Sequence, residues 1–341
     1  MKALSPFLCG LAAAALAVRL GYSQAPPMDV SLAPALRAAS NSPSVFLNPM
    51  QRAAVVATFI QFVQIRSPSQ HEEQFQRELR RRLAATGARE VACGQDDAQA
   101  PCNLVMEFVA TPGLADRPAI LLNAHIDTIA GCLPEGMRFD AGQGDFYHTN
   151  ETTRGKSSSF GGDDKSAVAV IVEALRVLQA RFWDRGVGHR RILALFTASE
   201  ETGCVGASYL STRCPQLFDN VAITLAIDGP LDFHTDYPWE SFVLVVAKPD
   251  ALEAPYKRVL DLTDRMCRQH GKAFGTTETG LGMGDFAHFP ASAHAGLHVR
   301  SPVRGFHRNE RVKIQDLINH VDLLCHLLLG WDDPLSKAPA P

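Results

Sequence analysis

Three long apolar runs in this chain stop in the same way, each on acidic or imidazole side chains. AILLNAHID ends at His125 and Asp127, RRILALFTA runs into Glu200 and Glu201, and NVAITLAID ends at Asp228. A continuous apolar run of this length with polar residues at its end is the pattern of a strand buried on both faces. Between the runs lie DKSAVAVIVEALRVLQARF and VGASYLSTR, whose apolar residues recur at helical spacing. Helices alternating with buried strands predict an α/β protein, a three-layer α/β/α sandwich around a mainly parallel central sheet. In such folds ligands collect beyond the carboxyl ends of the strands. Motifs far apart in the sequence therefore meet on one sheet edge. GGDDK (Asp163, Asp164) opens a helix instead, and GFHRNE (His307) precedes the last one.

A length of 341 residues supports one large domain with a sizeable core. Residues 48–330 are predicted to form it. Its periodic apolar residues start after Asn48, and a second amphipathic helix, HEEQFQRELRRRLAATG, stops at Gly87. Further strands are expected at REVAC, NLVMEFVA, SFVLVVAK and GLHVR, and further helices around PYKRVLDLTDRMCRQHG and KIQDLINHVDLLCHLLL. Ile129 to Ser159 reads as one long polar loop bordering the site. Residues 1–23 have the charged start, short apolar core and small-residue end of a secretory signal, which predicts a secreted or periplasmic protein. Residues 24–47, rich in Pro, Ala and Ser, read as a linker or surface arm, and 331–341 as a disordered tail.

Export permits disulfides. Cys93 and Cys102 flank a polar loop and are the first candidate pair, with Cys204 and Cys214 the second. Cys267 and Cys325 sit on apolar helical stripes and read as buried thiols. The net charge of −3 suggests no nucleic-acid partner, and no run is long enough for a stable membrane span.

Two histidines and three carboxylates, His125, Asp163, Glu201, Asp228 and His307, suit a pair of divalent cations sharing one carboxylate. Asp127 lies two residues past His125, on the same side of an extended chain, and is placed to take the proton of the other imidazole nitrogen. Glu200 and Glu201 face opposite ways if extended. One then binds metal while the other, as general base, activates a water and returns the proton to a leaving amine. Acids inside and beside apolar strands are costly unless something compensates them, which favours this reading over five unrelated surface motifs.

The motifs NAHIDT, GGDDKSAVA, TASEETG and IDGP, with the opening FVQIRSPSQHEEQF, resemble the co-catalytic di-zinc exopeptidases. The likeness is to the peptidase T, carboxypeptidase and aminoacylase group. That resemblance implies one zinc held by His125, Asp163 and Asp228 and a second by Asp163, Glu201 and His307, with Glu200 as base. Manganese or cobalt would suit the same ligands. It also implies a cis peptide after Asp163. Only 78 residues separate Asp228 from His307, too few for the lid domain of such enzymes. The chain is therefore similar to single-domain secreted aminopeptidases of the same clan, with GLGMGDFAHFP resembling their Ser-Asp-His segment and Gly284 in the serine position. Without the lid the oxyanion partner is left open, Arg304 being one candidate, and so is the oligomeric state, a monomer being compatible. His288 and His298 are rivals to His307. The expected activity is an exopeptidase on short peptides, an aminopeptidase before a carboxypeptidase. Hydrolysis of N-acyl amino acids and a retired, non-catalytic binding fold are the alternatives.

Overall fold

Residues 32–93, 100–148, 159–228, 242–246, 253–272, 274–278, 284–290, 296–300, 303–304, 307 and 310–332 are described by a computed structural model. The expected signal segment, residues 24–31 of the expected arm and residues 333–341 of the tail lie outside them.

The apolar runs become strands of an eight-stranded sheet. β1 (Arg89–Glu90) and β2 (Leu104–Phe108) lead antiparallel into β6 (Ile192–Thr197). Next, all parallel, come β3 (Ala119–His125), β7 (Val221–Asp228) and β10 (Gly296–Arg300). β8 (Phe242–Val246), antiparallel to β10, and β9 (Phe274–Glu278), parallel to β8, complete the order β1-β2-β6-β3-β7-β10-β8-β9. Alternate residues of the central strands enter two separate cores, as the period of two requires. Ile120, Leu122, Ile192, Ala194 and Phe196 face one core, while Leu121, Leu193 and Leu195 face the other.

The larger core is covered by α1 (Ala33–Asn41), α2 (Pro49–Gln64), α3 (Glu73–Ala84), α4 (Gly162–Arg181), α6 (Glu253–His270) and α7 (Ile314–Gly330). The smaller lies under α5 (Val205–Arg213) and the turn carrying Phe286 and Phe289. The α/β/α layering is thus as expected. The start of α2 is set locally: Asn48 accepts from the Gln51 amide and Gln51 reaches back to the Asn48 amide, a capping box with Pro49 in the first turn. Among the described residues no helix is long and apolar enough to cross a membrane.

Four expectations need correction. Residues 33–41, read as part of a linker, form α1. Ala35, Leu36 and Ala39 lie on one helical face and are buried in the larger core. Asp322 on α7 fastens the chain that follows, accepting from Ser44 Oγ at 2.7 Å and from the amides of Val45 and Phe46 at 2.8 and 3.0 Å. At the other end Trp331 is buried and Asp332 pairs with Arg190, so those two positions are packed rather than free.

The stretch 129–159 is not one loop. It carries a hairpin of β4 (Met137–Asp140) and β5 (Asp145–His148), whose turn is closed by Asp140 accepting from the amides of Gly142 and Gln143. Phe146 anchors it against Phe59. A second, four-stranded sheet, β11-β12-β5-β4, adds β11 (Val303–Arg304) and β12 (Arg311–Lys313).

The disulfide joins Cys93 to Cys214, with Cα atoms 6.0 Å apart, and neither expected pair forms. The smaller core brings the chain after β1 onto the end of α5, whereas Cys204 is buried beside Glu200. Cys267 and Cys325 are buried free thiols, as their helical stripes implied.

Candidate metal centre

His125 is the last residue of β3, Asp228 the last of β7, and Glu200 and Glu201 follow β6 by three and four residues. The parallel register sets His125 against Thr197. Asp163 comes from the start of α4, whose regular turns begin only after Asp164; the Asp163–Asp164 peptide is cis, as the resemblance implied. His307 arrives from the loop between β11 and β12 with a positive φ of 56°.

Two clusters form around one shared carboxylate. His125 Nε2 lies 3.5 Å from Asp163 Oδ1 and 3.6 Å from Asp228 Oδ1. His307 Nε2 lies 3.5 Å from Asp163 Oδ2 and 2.8 Å from Glu201 Oε1. Two ligands of a tetrahedral ion at 2.0–2.1 Å stand about 3.4 Å apart, so most of these separations are those of ligand atoms around a cation. Asp163 Oδ1 is buried and meets no hydrogen-bond donor among the described residues, which fits an atom kept for a metal. The group of ligand atoms within 4.8 Å of one another that contains His125 and Asp228 is completed by Asp164, whereas Asp163 groups with Glu201 and His307. Only Asp163, however, presents one oxygen to each histidine, and it is the better bridge.

The electrostatics point the same way. Asp127, Asp163, Asp164 and Asp285 are almost wholly buried here, beside Glu200, Glu201 and Asp228. Burial pushes the Glu200 carboxyl up to about 8, against the pull of His125 and with the push of Asp228 and Asp285. Burial opposes the charged form of His125, yet Asp127, Asp163, Glu200 and Asp228 outweigh it and hold its pKa well above the usual value. A field that favours an imidazolium favours a divalent cation.

Asp127 organises the edge. His125 Nδ1 stands 3.3 Å from its Oδ1, Ser69 Oγ donates to its Oδ2 at 2.6 Å, and the amides of Glu200 and Glu201 donate to it at 2.9 and 3.1 Å. Burial works against its ionisation, but these donors prevail and keep its pKa low.

The expected extended alternation at Glu200 and Glu201 is replaced by a turn. Ser199 has φ 56°, and the amides of Gly203 and Cys204 both return to the Glu200 carbonyl. Glu72 braces this turn, accepting from the Ser199 amide and hydroxyl at 3.0 Å each and from the Gln70 amide at 2.9 Å. Even so, Glu201 reaches His307 while Glu200 turns toward the Cys204 thiol, 3.6 Å away.

The rival His288 instead contacts Ser208 Oγ at 3.0 Å; the side chains of His298 and Arg304 lie outside the described set. Sequence reasoning missed Ser69, Glu72 and Asp285, the last accepting from Thr197, and it passed over Glu310. Each stands inside a motif already singled out, but an acid beside a motif carries no signal of what it touches.

Gly284 has no room for a side chain. Its φ is +66°, and a Cβ there would stand 2.1 Å from Asp228 Oδ2. Gly284→Ala is expected to displace Asp228 and to weaken any metal binding that uses this carboxylate by about 10–100-fold, the range for disturbed ligand support. Metal titration of the stripped protein checks this, and wild-type affinity would show that the added methyl leaves the metal-binding position of Asp228 undisturbed.

The family model described as Peptidase family M28 matches residues 103–322, more than half of the chain. The chain belongs to peptidase family M28. Members of this family depend on a metal, typically zinc. Among solved structures, this M28 chain is similar to the aminopeptidase PepT of Bacillus cereus, with 15% identity and a TM-score of 0.61 over 81% of this chain and 97% of that one. It is also similar to the TET1 peptidase of Pyrococcus horikoshii, with 19% identity and a TM-score of 0.54 over 80% and 99%. At these identities the likeness is one of fold. A curated relative, the uncharacterized protein YqjE of Bacillus subtilis, is 27% identical over 157 residues. That match spans 45% of this chain and 38% of the relative's length.

Proposed function

We propose that this M28 member is an exported aminopeptidase that removes the first residue of short peptides with two metal ions, zinc by preference. The observation that carries the reading is Asp163, one oxygen turned to His125 and the other to His307, with Glu200 alongside. In it, His125, Asp163 and Asp228 hold one ion, and Asp163, Glu201 and His307 hold the other. When bound, the ions polarise the scissile carbonyl and make a water easier to deprotonate. Asp127 accepts the Nδ1 proton of His125 and so leaves Nε2 as the donor atom. Glu200 takes a proton from the water and hands it to the leaving amine. The aminopeptidase names of PepT and other fold relatives support the amino-terminal preference, and the apolar start of the chain supports export.

Metal analysis of the mature protein, paired with hydrolysis of free and N-acetylated short peptides before and after chelation, tests the reading. About two ions per chain and chelator-sensitive cleavage of the free peptide alone are expected. Cleavage of the acylated peptide alone would make the chain an amidohydrolase, and a metal-free, inert protein would leave only a binding role.

A further inference from the structure

Two of the three ligands proposed for the second ion come from different parts of the fold. Asp163 begins α4, which packs on the main sheet, whereas His307 belongs to the loop between two strands of the small sheet. Glu310, three residues after His307 and directly before β12, is fully buried and joins these parts. Its Oε1 accepts from Ser159 Oγ at 2.7 Å. Its Oε2 accepts from three successive amides, Phe160 at 2.9 Å, Gly161 at 3.1 Å and Gly162 at 3.0 Å. These amides run up to the residue immediately before Asp163. Gly161 also donates to Ser159 Oγ at 3.1 Å, so deleting the acceptor would strand the buried N–H groups of Phe160 and Gly162. Gly162 has little room to move, since a Cβ there would meet Val312 and Val303, both on the small sheet, at 3.0 and 3.2 Å.

We propose that Glu310 is a positioning residue: its carboxylate clamps the 159–162 loop to the His307 segment and so holds Asp163 Oδ2 and His307 Nε2 at the spacing the second ion needs. The proposal rests on the two-metal reading of the site. It separates Glu310 from a merely structural buried acid, because a structural role would lower stability without singling out one ion.

The test is stepwise titration of the chelator-stripped full chain with Zn²⁺ and Co²⁺. It compares wild type, Glu310→Ala, Glu310→Gln and Glu310→Asp, with His307→Ala marking which binding step is the second. Glu310→Ala is expected to weaken the step that His307→Ala abolishes by about 10–100-fold and to leave the other step within a few-fold. Glu310→Gln should restore it, since the amide oxygen can accept from the three backbone groups while its NH₂ donates to Ser159 Oγ. Glu310→Asp, one methylene shorter, should not; if the alanine variant fails to fold, this pair decides.

Two unchanged binding steps in the Ala or Asp variant would overturn the proposal while leaving the two-metal reading intact. So would equal weakening of both steps. A wild-type chain that binds no metal would overturn both.

Discussion

Asp163→Ala is expected to strip the chain of both ions and of all turnover while the apo-fold survives. Each proposed metal set includes one oxygen of this carboxylate, so a single truncation removes a ligand from both at once. The loss should exceed the about 10–100-fold that follows from disturbing a ligand's support. Stability supplies a second readout. Ligand at a thousand times its Kd stabilises a native protein by about 4 kcal/mol, so added zinc should raise the melting temperature of the wild type and leave the variant unmoved. The stripped variant should still unfold cooperatively: losing Asp163 relieves its repulsion with neighbouring carboxylates and removes its contacts with His125 and His307. Wild-type metal content in Asp163→Ala would remove the bridge and transfer attention to Asp164.

Glu200→Gln is expected to keep both ions and lower kcat by about 10²–10⁴-fold, the range for removing a general base. KM should change little, because the amide fills the same space. A second effect belongs to the metal-free protein. Burial raises the Glu200 pKa from 4.5 to about 8, so the folded state holds this proton more tightly than the unfolded chain. The wild type is therefore penalised as pH climbs from 4.5 and carries the full penalty only above 8. The glutamine variant escapes it. Its stability advantage should be absent at acid pH and grow across that window, as denaturant titrations at several pH values would reveal. Full turnover in Glu200→Gln would take the base role away from this residue.

The strands that end at His125 and Asp228, and the one that leads to Glu200 and Glu201, were legible because a strand buried on both faces must be apolar until it leaves the sheet. A charge at that point marks the edge. The α2 start was legible for a local reason too, the Asn48–Gln51 box with its proline. The hairpin at 137–148 was not: Phe139 and Phe146 alternate over too few residues to stand out among glycines and acids. α1 was hidden by alanine, prolines and serines that resemble a linker until Ala35 and Ala39 are seen packed in the core.

The chain's own sequence determined the layers, the sheet edge where chemistry gathers and the residue types that gather there, because these follow from periodicity and from the cost of burying charge. Tertiary structure alone decided the partners. Cys93 meets Cys214 rather than either expected mate, Glu72 braces Ser199 across 127 positions, and Glu310 closes on the loop before Asp163 across 148 to 151. Contacts at such separations depend on how layers and loops pack. A sequence read in windows contains each residue's chemistry but not the neighbour that the packing brings to it.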